Sequence, residues 1–221
     1  MTRKWKRELP SFHCFSLKTA ILETVLLVIS GAPASGKTTL GRAIASSLKV
    51  PLVRRGDLKW PLYRLLKPYG LDSEILREAG RLAWYGALRA ILEAGCSALA
   101  DGALNDPEDA ARLHAFLTEL NVPAAEILLF AEPNTLRRRF FARGGPAVHE
   151  HLVPSEIEPL LQRDWQPLLG NAPLLRIDTT DWANLDHAQV TAWVRQLGMA
   201  SEATTDGKFP HDIPGTNSWN S

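Results

Sequence analysis

The sequence predicts an α/β fold of three layers, in which helices cover both faces of a mostly parallel five-stranded sheet. Short apolar, β-branched runs alternate with longer segments of helical period along most of the chain, a pattern typical of βαβ units. The 221 residues, of which 45% are hydrophobic, are enough for one substantial core. We therefore expect a single core domain over residues 21–199.

The elements follow from the local pattern of each segment. Strands are predicted where short runs are apolar and β-branched: Thr24–Ser30, Val50–Val53, Ser97–Ala100, Glu126–Ala131 and Leu174–Ile177. Helices are predicted where apolar residues recur with helical spacing: Thr38–Leu48, Asp72–Glu93, Pro107–Leu120, Asn134–Ala142, Ser155–Trp165 and Asn184–Leu197. Start signals support two of these helices, since Pro107 suits a first helical turn and Ser155 with Glu158 fits a capping box.

The ends of the chain and its composition limit the function classes. Residues 1–20 are predicted to be a basic, partly disordered extension, and residues 200–221 a disordered, polar, Pro/Gly-rich tail. The net charge of +1 gives no overall attraction to nucleic acid or membrane. Cys14 and Cys96 form neither a disulfide scaffold nor a zinc-ligand pattern, so we expect a cytoplasmic protein.

The segment "GAPASGKTTL", which begins at Gly31, is compatible with two unrelated functions. Because Ala32-Pro33-Ala34 follows an apolar run and a basic start, it resembles the cleavage region of an export signal. Such a signal needs an uninterrupted apolar stretch, and Lys18 and Glu23 interrupt it. No stretch reaches the roughly 20 apolar residues that a membrane span needs. The alternative is a phosphate-binding loop.

The phosphate-loop interpretation fits every fixed position of G-x-x-x-x-G-K-[ST]. Its residues are Gly31, Ala32, Pro33, Ala34, Ser35, Gly36, Lys37 and Thr38, with Thr39 next to them. The glycines allow backbone N–H groups to surround a phosphate, and the helix that follows directs its positive end to the same anion. Lys37 would bridge the β- and γ-phosphates, and the Thr38 hydroxyl would be a ligand of Mg²⁺. A glycine-rich turn that binds nothing fits the strand–loop–helix context poorly.

The nucleotide is predicted to be ATP. A phosphate loop recognises phosphates and not the base, so the loop alone does not distinguish ATP from GTP. The sequence has no N-K-x-D segment that would recognise guanine. We therefore expect ATP with Mg²⁺ as its cofactor.

Three shorter segments accompany the loop. "VPLVRRGDLK" places Asp57 after the second predicted strand, and "ALADGALNDPEDAARL" ends the third with Asp101. "LRRRFFARGG" carries Arg139 and Arg143 before a pair of glycines.

Together with the Walker A loop, these segments make the chain resemble a group of P-loop kinases. The group contains polynucleotide 5′-hydroxyl kinases, zeta-toxin-like and chloramphenicol-phosphotransferase-like proteins, and many bacterial sequences described as AAA family ATPases. The resemblance extends from about Val25 to Leu197 in element order, although only the Walker A loop is a highly specific motif. It implies a P-loop NTPase fold with a helical lid, here at about residues 139–154.

The resemblance implies that Asp57 orients or deprotonates the acceptor hydroxyl. A carboxylate suits this role because phosphoryl transfer needs mainly positioning, with a base that takes the proton late. The alternative is that Asp57 caps a helix beginning at Leu58. One aspartate can do both.

The resemblance also suggests roles for Asp101 and Asn105. Asp101 would hold Mg²⁺ through water or contact the acceptor, whereas Asn105 would belong to the substrate side. Asp106 intervenes before Pro107, which departs by one residue from the D-x-x-L-N-P-like pattern of polynucleotide kinases. The alternative for Asp101 is a turn residue at the end of a strand.

Arg139 and Arg143 match the lid pattern L-x-x-R-x-x-x-R-G. Four residues apart, they share a helix face, so both guanidiniums are expected to converge on the phosphates when the lid closes. Such arginines stabilise the charge on the equatorial oxygens in the transition state. A solvated basic face is the alternative.

The remaining candidates are less specific. His149 and His151 indicate a plain surface loop, or contacts with the lid or the acceptor, more than a metal site, because no further ligand is identifiable. "RIDTTD", from Arg176 to Asp181, follows the last strand, where related kinases often pass near the adenine, although a simple turn fits equally well. The aromatic residues near the acceptor region would either stack on a ring or pack in the core; they are Trp60, Tyr63, Trp84 and Tyr85.

The function predicted from sequence is Mg²⁺-dependent transfer of the γ-phosphate of ATP to a hydroxyl of a small molecule or nucleotide. A polynucleotide acceptor is compatible with the resemblance but is not favoured by the near-neutral charge. The alternative from another class is a regulatory switch that hydrolyses ATP slowly and needs no acceptor. Neither the identity of the acceptor nor the oligomeric state follows from the sequence.

Overall fold

The computed structural model describes residues 24–102, 104, 107–145 and 154–199. Its strands are β1 (Leu26–Gly31), β2 (Leu52–Arg54), β3 (Ala98–Asp101), β4 (Ala124–Phe130) and β5 (Leu174–Asp178). Its α-helices are α1 (Lys37–Leu48), α2 (Arg55–Leu66), α3 (Ser73–Glu93), α4 (Pro107–Leu120), α5 (Pro133–Ala142), α6 (Pro154–Gln162) and α7 (His187–Gln196). Short 3₁₀ turns occupy Lys67–Tyr69 and Trp182–Asn184.

The strands form one parallel sheet in the order β2-β3-β1-β4-β5, which confirms the predicted α/β fold. All six residues of β1 are buried, as expected of a central strand covered on both faces. Its side chains alternate between two cores, because successive residues of a strand point to opposite faces. Leu27 and Ile29 pack with α1 and α7, whereas Leu26 and Val28 pack with α3 and α4. The result is the three-layer arrangement.

Most element boundaries agree with the sequence prediction to within two residues. The helix predicted over Ser155–Trp165 ends earlier, at Gln162. The last helix begins at His187, and a separate 3₁₀ turn precedes it. Within the described chain, no helix has both the length and the apolar character that crossing a bilayer requires.

The main correction concerns α2, which begins at Arg55 and not at Leu58. Asp57 therefore lies inside the first turn, while Arg54 occupies the N-cap position without a side-chain capping bond. The alternative interpretation, that Asp57 caps a helix beginning at Leu58, is therefore wrong. Periodicity did not reveal the helix start, because the segment contains Pro61 and its one buried residue is a lysine, Lys59.

Some predicted features lie outside the described residues. They are the extension at 1–20, the tail at 200–221, Asn105, and the part of the predicted lid that carries His149 and His151. The described part of that lid ends at Gly145 and resumes at Pro154.

A buried carboxylate, Glu126, fixes the loop after α6 to the sheet. It lies on β4 and is 1% exposed. Its Oε2 accepts hydrogen bonds from the backbone N–H groups of Leu168 (2.8 Å) and Leu169 (3.0 Å). Its Oε1 accepts one from the Ser30 hydroxyl. Three donors thus satisfy a charge that burial would otherwise make costly.

We expect Glu126→Ala to lower the free energy of unfolding by about 2–5 kcal/mol, because two backbone N–H groups and a hydroxyl lose their acceptor. Glu126→Gln is the matched control: its amide oxygen can accept the two N–H bonds and its NH₂ can donate to Ser30. It should cost only about 1 kcal/mol. Urea unfolding curves of the three proteins test this, and equal losses in both variants would contradict the assigned network.

Candidate functional site

The predicted phosphate loop connects β1 with α1, and two of its glycines are required by geometry. Gly31 has φ +120°, and a Cβ there would meet the carbonyl oxygen of Leu129 at 1.9 Å. Gly36 has φ +97°, and a Cβ there would lie 2.4 Å from the Trp182 ring. L-residues with a side chain rarely adopt such φ values. The loop therefore needs glycine at both positions to pass close to β4 and to turn into α1.

Lys37 lies folded over this loop. Its Nζ donates hydrogen bonds to the carbonyl oxygens of Gly31 (2.9 Å) and Ala32 (2.7 Å). Burial lowers the pKa of Lys37 to about 8; the Asp101 charge opposes this shift and Arg143 adds to it. The ammonium is thus held inside the loop, where phosphate oxygens would replace the two carbonyl partners.

Thr38 and Asp101 come together at the carboxyl ends of β1 and β3. The Thr38 hydroxyl donates to Asp101 Oδ2 at 2.7 Å, and Asp101 is 7% exposed. Oxygen donors of this kind suit Mg²⁺, which is usually held by one or two protein groups together with phosphates and water. Among the described residues, no group of three or more His, Cys, Asp or Glu side chains is placed to hold a metal. A magnesium ion here would depend on the nucleotide for further ligands.

Arg54 links Asp101 to Asp57. Its Nη1 lies 2.8 Å and 3.1 Å from the two carboxylate oxygens of Asp57, and its Nε lies 3.6 Å from Asp101 Oδ2. The Asp57 side chain is 59% exposed, whereas that of Asp101 is 9% exposed. The two aspartates therefore differ in solvent access. Asp57 is exposed beside the loop, whereas Asp101 is buried and accepts a hydrogen bond from Thr38. Sequence reasoning did not single out Arg54.

The two lid arginines differ in position. Arg143, at the end of α5, is close enough to Lys37 to influence its pKa. Partial burial and the charge of Arg139 lower the pKa of Arg143 itself. Arg139 Nη2 donates to the carbonyl oxygens of Thr179 (2.8 Å) and Thr180 (3.3 Å). Arg139 thus holds α5 to the turn after β5, while Arg143 lies nearer the phosphate loop.

Thr179 is a further tether that the sequence did not reveal. Its hydroxyl lies 2.9 Å from the carbonyl oxygens of both Ser35 and Phe130. It therefore joins the phosphate loop and the end of β4 to the turn after β5. The sequence leaves two interpretations of "RIDTTD", a segment near the adenine and a simple turn. In the structure, the Trp182 ring lies against Gly36, so the turn that follows this segment is beside the loop.

The four aromatic candidates divide into two pairs. Trp84 is fully buried, and its Nε1 donates to the Val53 carbonyl at 3.0 Å. Tyr85 packs against Trp84 and against Phe116, with ring centroids 5.1 Å and 4.9 Å apart. These two belong to the core. Trp60 and Tyr63 are half-buried on α2 with their rings edge to face at 5.8 Å, so they do not belong to the buried core.

Comparison with known proteins shows which family the chain belongs to and which curated proteins it is similar to. A family model described as an AAA domain matches residues 26–163, more than half of the chain. An adenylate kinase from Gemmatimonas aurantiaca is 28% identical over 127 residues, which are 54% of this chain and 59% of that protein. One from Chlamydia felis is 26% identical over 132 residues, or 56% and 61%. The chain thus spans about three fifths of these curated relatives.

Solved structures show the same fold. A candidate kinase from Chloroflexus aurantiacus superposes with a TM-score of 0.64 at 26% identity, and the match covers 78% of this chain and 94% of that one. Kti12 from Chaetomium thermophilum, solved in complex with ADP-AlF3, has a TM-score of 0.56 at 19% identity and is covered completely. At that identity the likeness to Kti12 concerns the fold alone.

Proposed function

We propose that this chain, which belongs to the AAA domain family of P-loop kinases, transfers the γ-phosphoryl group of ATP to a hydroxyl group of a small molecule or nucleotide. One observation supports this above the others: Arg54 places the exposed carboxylate of Asp57 beside the Thr38–Asp101 pair of the phosphate loop. A protein that only bound or slowly hydrolysed ATP would not need that carboxylate.

The nucleotide would bind along the loop from Gly31 to Thr39. The backbone N–H groups of the loop and the positive end of α1 favour binding of the phosphate oxygens. Lys37 would exchange its two carbonyl partners for those oxygens. Thr38 and Asp101 would hold Mg²⁺, which supplies charge neutralisation on the transferring group. The turn after β5, fastened by Thr179, fixes one wall of the loop.

The acceptor would bind on the Asp57 side. As the acceptor oxygen bonds to the γ-phosphorus, the bond from that phosphorus to the bridging oxygen of ADP breaks, and the hydroxyl proton passes to the Asp57 carboxylate. Arg54 would hold the carboxylate in its orientation through the contacts of its Nη1 with both carboxylate oxygens. Arg143 would stabilise charge on the transferred group, and Arg139 would do so directly or by holding α5 in place.

The experiment that tests this proposal is γ-phosphate transfer from labelled ATP with Mg²⁺. The acceptor panel should contain metabolites, antibiotics, sugars, nucleosides, adenylate and 5′-hydroxyl oligonucleotides. A labelled product establishes a kinase and its acceptor class, and a transfer rate that does not change with salt would argue against a polynucleotide acceptor. Release of phosphate that is slow and independent of every acceptor would instead favour the regulatory switch.

A further inference from the structure

Thr179, in the turn after β5, uses its backbone N–H, its carbonyl and its hydroxyl in contacts with other elements, and it is fully buried. Its backbone N–H donates to the Phe130 carbonyl at the end of β4 (2.8 Å), and its own carbonyl accepts from Arg139 Nη2 on α5 (2.8 Å). Its hydroxyl reaches the Ser35 carbonyl in the phosphate loop (2.9 Å). One residue therefore connects β4, α5 and the loop.

The Thr179 hydroxyl has one proton and two carbonyl oxygens within reach. The Phe130 carbonyl also lies 2.9 Å from Oγ1, but it already accepts the backbone N–H of Thr179. Ser35 is fully buried, and among the described residues the Thr179 hydroxyl is the one donor to its carbonyl. A buried carbonyl without a donor costs free energy. The hydroxyl proton is therefore needed most at Ser35.

The Ser35 carbonyl belongs to the same peptide unit as the Gly36 N–H. A peptide unit is planar and trans, so its C=O and N–H groups point in opposite directions. Holding the carbonyl toward Thr179 therefore directs the Gly36 N–H away from the turn after β5. Gly36 has φ +97° and directly precedes α1, where free backbone N–H groups bind anions. Because glycine restricts its own torsions little, an external partner is needed to fix this peptide.

We infer that Thr179 is a positioning residue for the nucleotide: its hydroxyl fixes the peptide between Ser35 and Gly36 so that the Gly36 N–H donates to a phosphate oxygen of ATP or ADP. This inference rests on the nucleotide binding of the proposed function and deepens it, because it assigns a part in phosphate binding to a residue outside the loop. Without the hydroxyl, the peptide would turn to satisfy its carbonyl elsewhere, and the phosphate would lose one oriented donor.

Thr179→Val tests this inference because it removes the hydroxyl and keeps the backbone groups that contact Phe130 and Arg139. Calorimetry with Mg-ADP should give a Kd about tenfold higher than that of wild type, since a hydrogen bond to a charged group is weakened. Thr179→Ser keeps the hydroxyl and should bind within about twofold of wild type. The matched control is Thr191→Val, the same change at a buried hydroxyl that bonds within α7, and it should leave the Kd unchanged.

The comparison of valine with serine separates positioning from packing. Valine retains the methyl group of threonine, whereas serine retains the hydroxyl. Equal ADP binding by wild type and Thr179→Val would overturn the inference. An equal rise of the Kd in Thr179→Ser would also overturn it, because the methyl group and not the hydroxyl would then matter. So would a wild-type protein that does not bind ADP.

A measurement on wild type makes the test independent of how well the valine variant folds. In ¹⁵N-labelled protein, the amide proton resonance of Gly36 should move downfield when Mg-ADP is added, because its N–H gains a charge-assisted hydrogen bond. The resonance of Gly95 should stay in place, since this glycine precedes β3 and lies at the opposite edge of the sheet. A Gly36 resonance that does not respond to ADP would contradict the inference.

Transfer assays separate this inference from the proposed function. With an acceptor that is phosphorylated, Thr179→Val should raise the KM for ATP about tenfold and leave kcat within about threefold, as expected when ground-state and transition-state binding weaken equally. Transfer by both proteins with the same KM for ATP would reject the positioning role while the kinase stands. Transfer to no acceptor, together with an ADP affinity that depends on the hydroxyl, would reject the kinase while the positioning role stands.

Discussion

Replacing Lys37 by methionine is expected to reduce kcat/KM for phosphoryl transfer by about a thousandfold or more, which is the range for a cation that stabilises a transferring phosphoryl group. Lys37 Nζ is the ammonium that the structure holds against the loop carbonyls of Gly31 and Ala32. Methionine keeps the length of the side chain but offers phosphate neither charge nor donor. The measurement is steady-state transfer together with the Kd for ADP and for the ATP analogue.

Unfolding is not expected to account for this loss. Burial lowers the pKa of Lys37 to about 8, which means that burying this charge costs free energy in the nucleotide-free fold. Methionine removes that cost together with the two hydrogen bonds to the loop carbonyls, so the net change in the free energy of unfolding should be small. Lys49→Met serves as the matched control, because it is the same substitution at the exposed C-cap of α1. A Lys37→Met protein that retains wild-type transfer would show that the loop is not where the phosphate is transferred.

The part of the fold nearest the phosphate loop could be predicted from local sequence. β1 is an apolar run of strand length, and α1 begins at Lys37, directly after Gly36, so that the two residues which define the loop also mark the helix start. Both signals are contained in fewer than thirty residues. The sheet order could not be predicted in the same way, because β2 pairs with β3 and not with β1, its predecessor in sequence.

The acceptor side was harder to predict because α2 lacks an apolar face. The one residue of α2 that is classed as buried is Lys59, a residue type that normally indicates an exposed surface, and Pro61 interrupts the helical pattern. Sequence reasoning nevertheless selected Asp57, through its position after β2. It could not find Arg54, since the reason to select this arginine is its distance to two carboxylates that are remote from each other in sequence.

Hydrogen bonds between residues that are distant in the chain could not be predicted from the sequence either. Thr179 contacts Ser35 across 144 positions, and Glu126 accepts from two backbone groups more than forty positions away. Arg139 was expected to share its phosphate contact with Arg143, and its hydrogen bonds to the turn after β5 suggest an anchoring part as well. Such roles depend on which elements meet, and nothing in the local pattern specifies that.

Asp57→Asn should separate binding from chemistry. The amide is nearly isosteric with the carboxylate but cannot take the acceptor proton, so kcat should fall by roughly 10²–10⁴-fold. Because Asp57 is exposed and contacts neither Lys37 nor Thr38 in the described structure, and because an exposed ion pair such as the one with Arg54 contributes little free energy, the Kd for Mg-ATP should stay within about twofold of wild type. Rapid-mix transfer and calorimetry measure the two quantities.

Asp101→Asn is the informative contrast, because it alters the neighbouring carboxylate in the same way. Asp101 accepts the Thr38 hydroxyl and is buried, so its loss should weaken Mg-ATP binding and raise the Mg²⁺ concentration needed for half-maximal rate. The two aspartates that Arg54 contacts would then affect different quantities. Asp57→Asn would lower kcat, and Asp101→Asn would weaken nucleotide binding. If Asp57→Asn transfers phosphate at the wild-type rate, Asp57 is not the base. In that case Arg54, and not Asp57, would have to position the acceptor hydroxyl.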